Sequence, residues 1–64
     1  MSKTITKTFK SVDTLRNVND DLVSTGIEQN QIFIDEANMQ VKVMIPASTE
    51  AEILEILGRH QPID

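Results

Sequence analysis

Residues 23–35, with the sequence VSTGIEQNQIFID, contain the join between a helix and a strand. Gly26 can take the left-handed conformation that ends many helices, since it has no Cβ to clash. Ile27 is then placed to fold back over the last helical turn. The polar residues EQNQ follow as a turn, and IFID is short and rich in β-branched and aromatic residues. The stretch therefore predicts a helix end, a turn and a second strand.

Upstream of this join, residues 3–10 (KTITKTFK) alternate as a strand does, with Ile5, Lys7 and Phe9 on one face. The other face holds Thr4, Thr6 and Thr8. Ser11 can then cap a helix. The apolar stripe of this helix, at spacings of three and four, is Val12, Leu15, Val18 and Leu22.

Downstream of the join, residues 35–38 (DEAN) are turn formers between two strand-like runs and predict a hairpin. Residues 39–45 (MQVKVMI) alternate again, with Gln40, Lys42 and Met44 on one side, and Pro46 ends this strand. The last helix spans residues 48–60, and Thr49 with Glu52 has the spacing of a capping box. Its apolar residues form a row with two neighbours beside it: Ala51, Leu54 and Leu57, then Ile53 and Ile56.

The order β-α-β-β-α over residues 1–64 predicts a single α+β domain. We expect a ferredoxin-like two-layer sandwich, whose three-stranded antiparallel sheet lacks the last strand and carries both helices on one face. The first strand would then keep one open edge, which invites pairing with another chain. The residues expected to be buried are Leu15, Val18, Leu22, Val41, Val43, Ile53, Leu54 and Leu57.

Composition restricts the chemistry of the chain. A domain of 64 residues has little core, and such domains usually need disulfides, a metal or oligomerisation. There is no cysteine and only one histidine, so oligomerisation is the remedy left open. We expect no catalytic residue, no metal site and no cofactor. His60 and the pair Asp20–Asp21 are explained by a helix end and a solvated helix face.

The charge of the chain argues against nucleic acid as a partner. Formal net charge is −4, and only Phe9 and Phe33 are aromatic, whereas binding to phosphates and stacked bases favours basic stripes and several aromatics. No apolar run approaches the ~20 residues that span a bilayer, and the first ten residues lack a signal-peptide pattern. We therefore expect no membrane contact and a cytoplasmic protein.

Two large apolar residues suggest an interaction surface. If Ile32 and Ile34 face the helices, then Phe33 faces the other way, as does Met44 in the next strand. The alternative is that Phe33 belongs to the core and its neighbours are half exposed. The predicted surface comprises Thr4, Thr6, Thr8, Phe33, Lys42 and Met44.

The element order and the segment LVSTGIEQNQIFI (residues 22–34) resemble small ferredoxin-like modules of two families. One is the bacterial general-stress family that includes YflT-like proteins, whose outline matches Leu22, Gly26, Ile27 and Ile32. The other is the ACT regulatory domain, in which a helix ending in Gly-Ile leads into the second strand. The ACT resemblance implies an amino-acid site at a glycine-bearing turn after the first strand. Here that turn, FKSVDT (residues 9–14), has no glycine.

These observations favour a small bacterial interaction or regulatory module, not an enzyme, acting as a homodimer or on another protein. The general-stress resemblance implies a stress-related role. The alternatives are a small-ligand sensor of ACT type and a nucleic-acid-binding module. The dimer would use either the edge of the first strand or the helix-free face of the sheet.

Overall fold

A computed structural model describes residues 2–63 and confirms the α+β order β-α-β-β-α. The strands and helices are β1 (Ser2–Thr8), α1 (Val12–Thr25), β2 (Ile32–Asp35), β3 (Gln40–Pro46) and α2 (Glu50–Arg59). Two short 3-10 turns, Gln29–Gln31 and Ala47–Thr49, precede β2 and α2.

The sheet has the strand order β1-β3-β2, and both outer strands run antiparallel to β3. Ile5 and Ile32 both lie opposite Val43, on either side of β3. β1 and β2 are therefore parallel to each other and are joined through α1, which is the crossover of a ferredoxin-like sandwich. The strand that would complete such a sandwich beside β1 is lacking among residues 2–63.

Both ends of α1 have the structure that the sequence predicts. The Ser11 hydroxyl accepts a hydrogen bond from the Thr14 amide at 3.2 Å. Gly26 has a φ of 113°, and the Ile27 amide donates to the Leu22 carbonyl at 3.1 Å. Ile27 packs against the core. A left-handed cap and an apolar contact thus end α1 and turn the chain toward β2.

We expect Gly26→Ala to lower the free energy of unfolding by about 1–2 kcal/mol, because an L side chain is strained at this φ. A Cβ at Gly26 would meet no atom within 4 Å, so the loss comes from the backbone alone. Gly58→Ala is the matched control. Gly58 lies inside α2 and also has open space around a Cβ, so alanine there should stabilise by about 0.5–1 kcal/mol. Urea titrations of both variants measure the difference, and equal effects would contradict it.

The core lies between one face of the sheet and the two helices. Its fully or largely buried apolar residues are Ile5, Phe9, Leu15, Val18, Leu22, Ile32, Val41, Val43, Ile45, Ile53, Ile56 and Leu57. The prediction for Leu54 was wrong, because this residue is 39% exposed and Ile56 is buried instead. Five apolar residues in α2 allow two overlapping stripes, and packing against α1 selects the one that contains Ile56.

The start of α2 also differs from the prediction. Thr49 makes no side-chain cap of the helix, so the capping box with Glu52 was wrong. The Thr49 hydroxyl instead donates to the Pro46 carbonyl at 2.9 Å, within the 3-10 turn that leads into the helix. The third strand begins one residue later than predicted. Met39 has a φ of 58° and belongs to the hairpin turn.

Candidate functional site

The helix-free side of the sheet, called the open face below, carries all six residues predicted as an interaction surface. Ile5, Ile32, Val41 and Val43 are buried and face the helices. Because side chains alternate along a strand, the residues between them point the other way. The six residues on the open face are Thr4, Thr6, Thr8, Phe33, Lys42 and Met44.

The strand register sets the pattern of the open face. Lys42 lies between Thr6 on β1 and Phe33 on β2, and Met44 lies opposite Thr4. Phe33 and Met44 are diagonal neighbours, a relation in which long side chains reach each other. Phe33 is 47% exposed and Met44 is 42% exposed. The question left open by the sequence is thus answered: Phe33 is a surface residue, not part of the core.

The outer edge of β1 is a second feature of this region. The Phe9 amide donates to the Met39 carbonyl at 2.8 Å, which marks this cross-strand pair as hydrogen-bonded. In an antiparallel ladder such pairs recur at every second residue. The backbone of Ile5 therefore faces β3, and the N–H and C=O groups of Thr4 and Thr6 point outward.

Asp35 closes the hairpin at one end of the open face. Its carboxylate accepts hydrogen bonds from the Asn38 amide at 3.2 Å and from the Asn38 side chain at 2.8 Å. These bonds, and to a smaller extent the charge of Lys42, lower the pKa of Asp35 below its ordinary value.

We expect Asn38→Ala to move the pKa of Asp35 back toward the ordinary aspartate value, which an NMR titration of the Asp35 carboxyl would measure. A pKa that is lower in the folded state than in the unfolded state adds stability at pH values above the unfolded-state pKa. That stability is lost as the pH falls through the folded-state pKa. The variant should therefore lose less stability on acidification than the unmodified protein does. An unchanged titration would contradict the assignment of these bonds as the cause.

His60 joins the two helices. Its Nε2 lies 3.0 Å from Oδ2 of Asp21, and both side chains are partly buried. The residue in contact with His60 is thus Asp21 on α1, and not an acidic residue of its own helix. The sequence missed this pair because its members are 39 positions apart. In residues 2–63 no group of three or more acidic, histidine or cysteine side chains could hold a metal ion.

A pocket of about 500 Å³ lies at one end of the sheet. Its lining residues are Ser2, Asn30, Gln31, Met44, Ile45 and Pro46, none of which has an ionisable side chain. The Gln31 side chain donates to the Met44 carbonyl at 3.2 Å and so continues the ladder beyond β2. This pocket lies at the end of the sheet where Ser2 pairs with Pro46, whereas the turn at residues 9–14, where the ACT resemblance implies a ligand, follows the other end of β1.

In the part of the chain that the structure describes, no helix is both long and apolar enough to cross a membrane. No family model, no curated protein and no solved structure matches the chain. The resemblance to the general-stress and ACT families therefore stays a prediction.

Proposed function

We propose that this protein is a non-enzymatic interaction module that works as a homodimer, in which two copies pack their open faces together. The observation that carries the proposal is the exposure of Phe33 and Met44 side by side on a face that no helix covers. Large apolar groups grouped on a surface are typical of protein contacts. The threonines and the aliphatic stem of Lys42 extend this surface across all three strands.

The size of the open face sets the expected affinity. Strands of seven, seven and four residues, with about 3.3 Å per residue and about 4.8 Å between strands, give roughly 300 Å² in projection for each copy. Stable specific interfaces bury about 1,200 Å² or more in total, so this contact belongs with the weak ones. We expect a dissociation constant on the order of 10–100 μM.

The width of the two layers favours the open face over the β1 edge as the dimer contact. Helices pack with axes 8–10 Å apart, about twice the spacing of strands, so two helices need about four strands beneath them. This sheet has three. Ile34 faces the helices from β2 yet is 37% exposed, whereas Ile5 on β1 is 7% exposed. Ile32 of β2 is buried at 5%, so coverage falls only along β2 toward Ile34. α1 packs against β2 and β3, and α2 packs against β1, so α2 lies above the outermost strand and next to its free edge. A second copy paired through β1 would bring its own α2 into the same space.

The proposal also includes a cytoplasmic location and a stress-related role. A composition without cysteine supports the cytoplasmic location, and the resemblance to the general-stress family supports the role. Nucleic acid is not proposed as a partner, since the net charge is −4 and the open face carries one aromatic residue.

Sedimentation equilibrium between about 5 and 500 μM tests the proposal, because this range brackets the expected dissociation constant. We expect the average mass to rise from one copy toward two. A mass that stays at one copy over the whole range would refute the homodimer.

A further inference from the structure

The outer edge of β1 presents hydrogen-bonding groups to a neighbouring strand. The N–H and C=O groups of Thr4 and Thr6 point away from β3, as the ladder geometry requires. Two residues further along, the Thr8 carbonyl accepts a hydrogen bond from the Ile63 amide at 2.8 Å, so another segment already bonds to this edge at Thr8. Within residues 2–63, no other segment forms a backbone hydrogen bond with Thr4 or Thr6 on this edge.

A flank of α2 lies above that edge. Glu50 and Leu54 are four residues apart and share one side of the helix, and Glu50 contacts Lys3 of β1 at 3.0 Å. Ile56 and His60 share the opposite side, where His60 contacts Asp21 of α1. The side that carries Leu54 therefore faces away from α1 and lies above β1. Leu54 is 39% exposed, and a strand beneath it would cover this apolar surface.

We propose that the β1 edge and the Leu54 flank of α2 together form a slot for one extended peptide of a partner protein. A single strand fits there, whereas a second copy of the domain would collide through its α2. The peptide would add a fourth strand by main-chain hydrogen bonds, with side chains alternately below α2 and on the open face. The side chains below α2 should be apolar, and those on the open face should be polar. Residues 2–10 contain three lysines and no acid, and Glu50 of the flank offsets only one of them, Lys3, so acidic residues in the peptide are favoured.

The probe is the peptide acetyl-Glu-Val-Thr-Val-Glu-amide, and the readout is amide exchange of the protein by NMR. In the free protein at low concentration we expect fast exchange at Thr4 and Thr6 and slow exchange at Ile5. Peptide at ten times its dissociation constant should slow Thr4 and Thr6 about tenfold. The Ile5 amide should change little, because it already faces β3. Slow exchange at Thr4 and Thr6 before peptide is added, or no slowing with it, would overturn the proposal.

Two N-methylated peptides separate strand pairing from other modes of binding. When the threonine of the peptide lies opposite Thr4, the N–H of the peptide threonine faces β1. N-methylation of that peptide threonine should therefore abolish the slowing of amide exchange. N-methylation of the first valine blocks an N–H that faces away and should leave the slowing intact. Equal effects of the two methyl groups would show that the peptide does not add as a strand.

Leu54→Ser tests the flank of α2 and should weaken peptide binding at least fivefold, because the apolar contact is lost without a change of charge. Val23→Ser is the matched control, since Val23 is similarly exposed at 44% but lies on α1. An undiminished affinity in Leu54→Ser would remove α2 from the slot. Phe33→Asp should leave peptide binding unchanged, so a failure of the slot and a failure of the open-face dimer can be told apart.

Discussion

Phe33→Asp is expected to raise the dissociation constant of the proposed dimer at least tenfold, which corresponds to about 1.4 kcal/mol or more. In the variant, packing the two open faces would bury the new carboxylate. The substitution also removes the largest apolar side chain from the contact. The monomer should keep its fold, because Phe33 is exposed and its cross-strand neighbour is Lys42, which offers the carboxylate a partner. Sedimentation equilibrium of the variant gives the dissociation constant directly.

Val23→Asp provides the control for this prediction. Val23 is exposed to nearly the same extent as Phe33, but it lies on α1, on the other side of the molecule from the open face. The same charge there should leave self-association unchanged. If both variants weakened association equally, net charge and not the open face would be the cause.

Phe9→Ala should leave the protein largely unfolded at room temperature. Phe9 is fully buried, and truncation of such a residue costs about 3–5 kcal/mol. A small domain has roughly 0.05–0.15 kcal/mol of stability per residue, so the loss is comparable to the whole. Circular dichroism with a urea titration measures the folded fraction.

Phe33→Ala makes the same chemical change at an exposed position and should cost less than about 1 kcal/mol. The two titrations are compared at a protein concentration below the expected dissociation constant, so that dimer formation does not add to the result. Similar losses in the two variants would contradict the placement of Phe9 in the core and Phe33 outside it.

Local patterns predicted most of the fold. The stripe Leu15, Val18 and Leu22, the stop at Gly26 and the alternation along β3 each follow from periodicity or from the chemistry of one residue. Alternation also placed Phe33 and Met44 on one face once Ile32 was taken as buried. The candidate surface could therefore be predicted from the sequence.

The features that the sequence did not predict depend on contacts between distant residues. Leu54 and Ile56 are equally apolar, and only the position of α1 decides which is buried. The contacts of His60 with Asp21 and of Ile63 with Thr8 join positions far apart in the chain. The position of α2 above β1, an outer strand of the sheet, likewise depends on tertiary packing that no local pattern reports.

The most direct test of the open-face homodimer is an isotope-filtered NOE experiment on a mixture of labelled and unlabelled protein at high micromolar concentration. The account predicts intermolecular NOEs between the Phe33 ring of one copy and the Met44 or threonine methyl groups of the other. Intermolecular NOEs confined to α1, α2 or the β1 edge, or none in a sample shown to be dimeric, would contradict it.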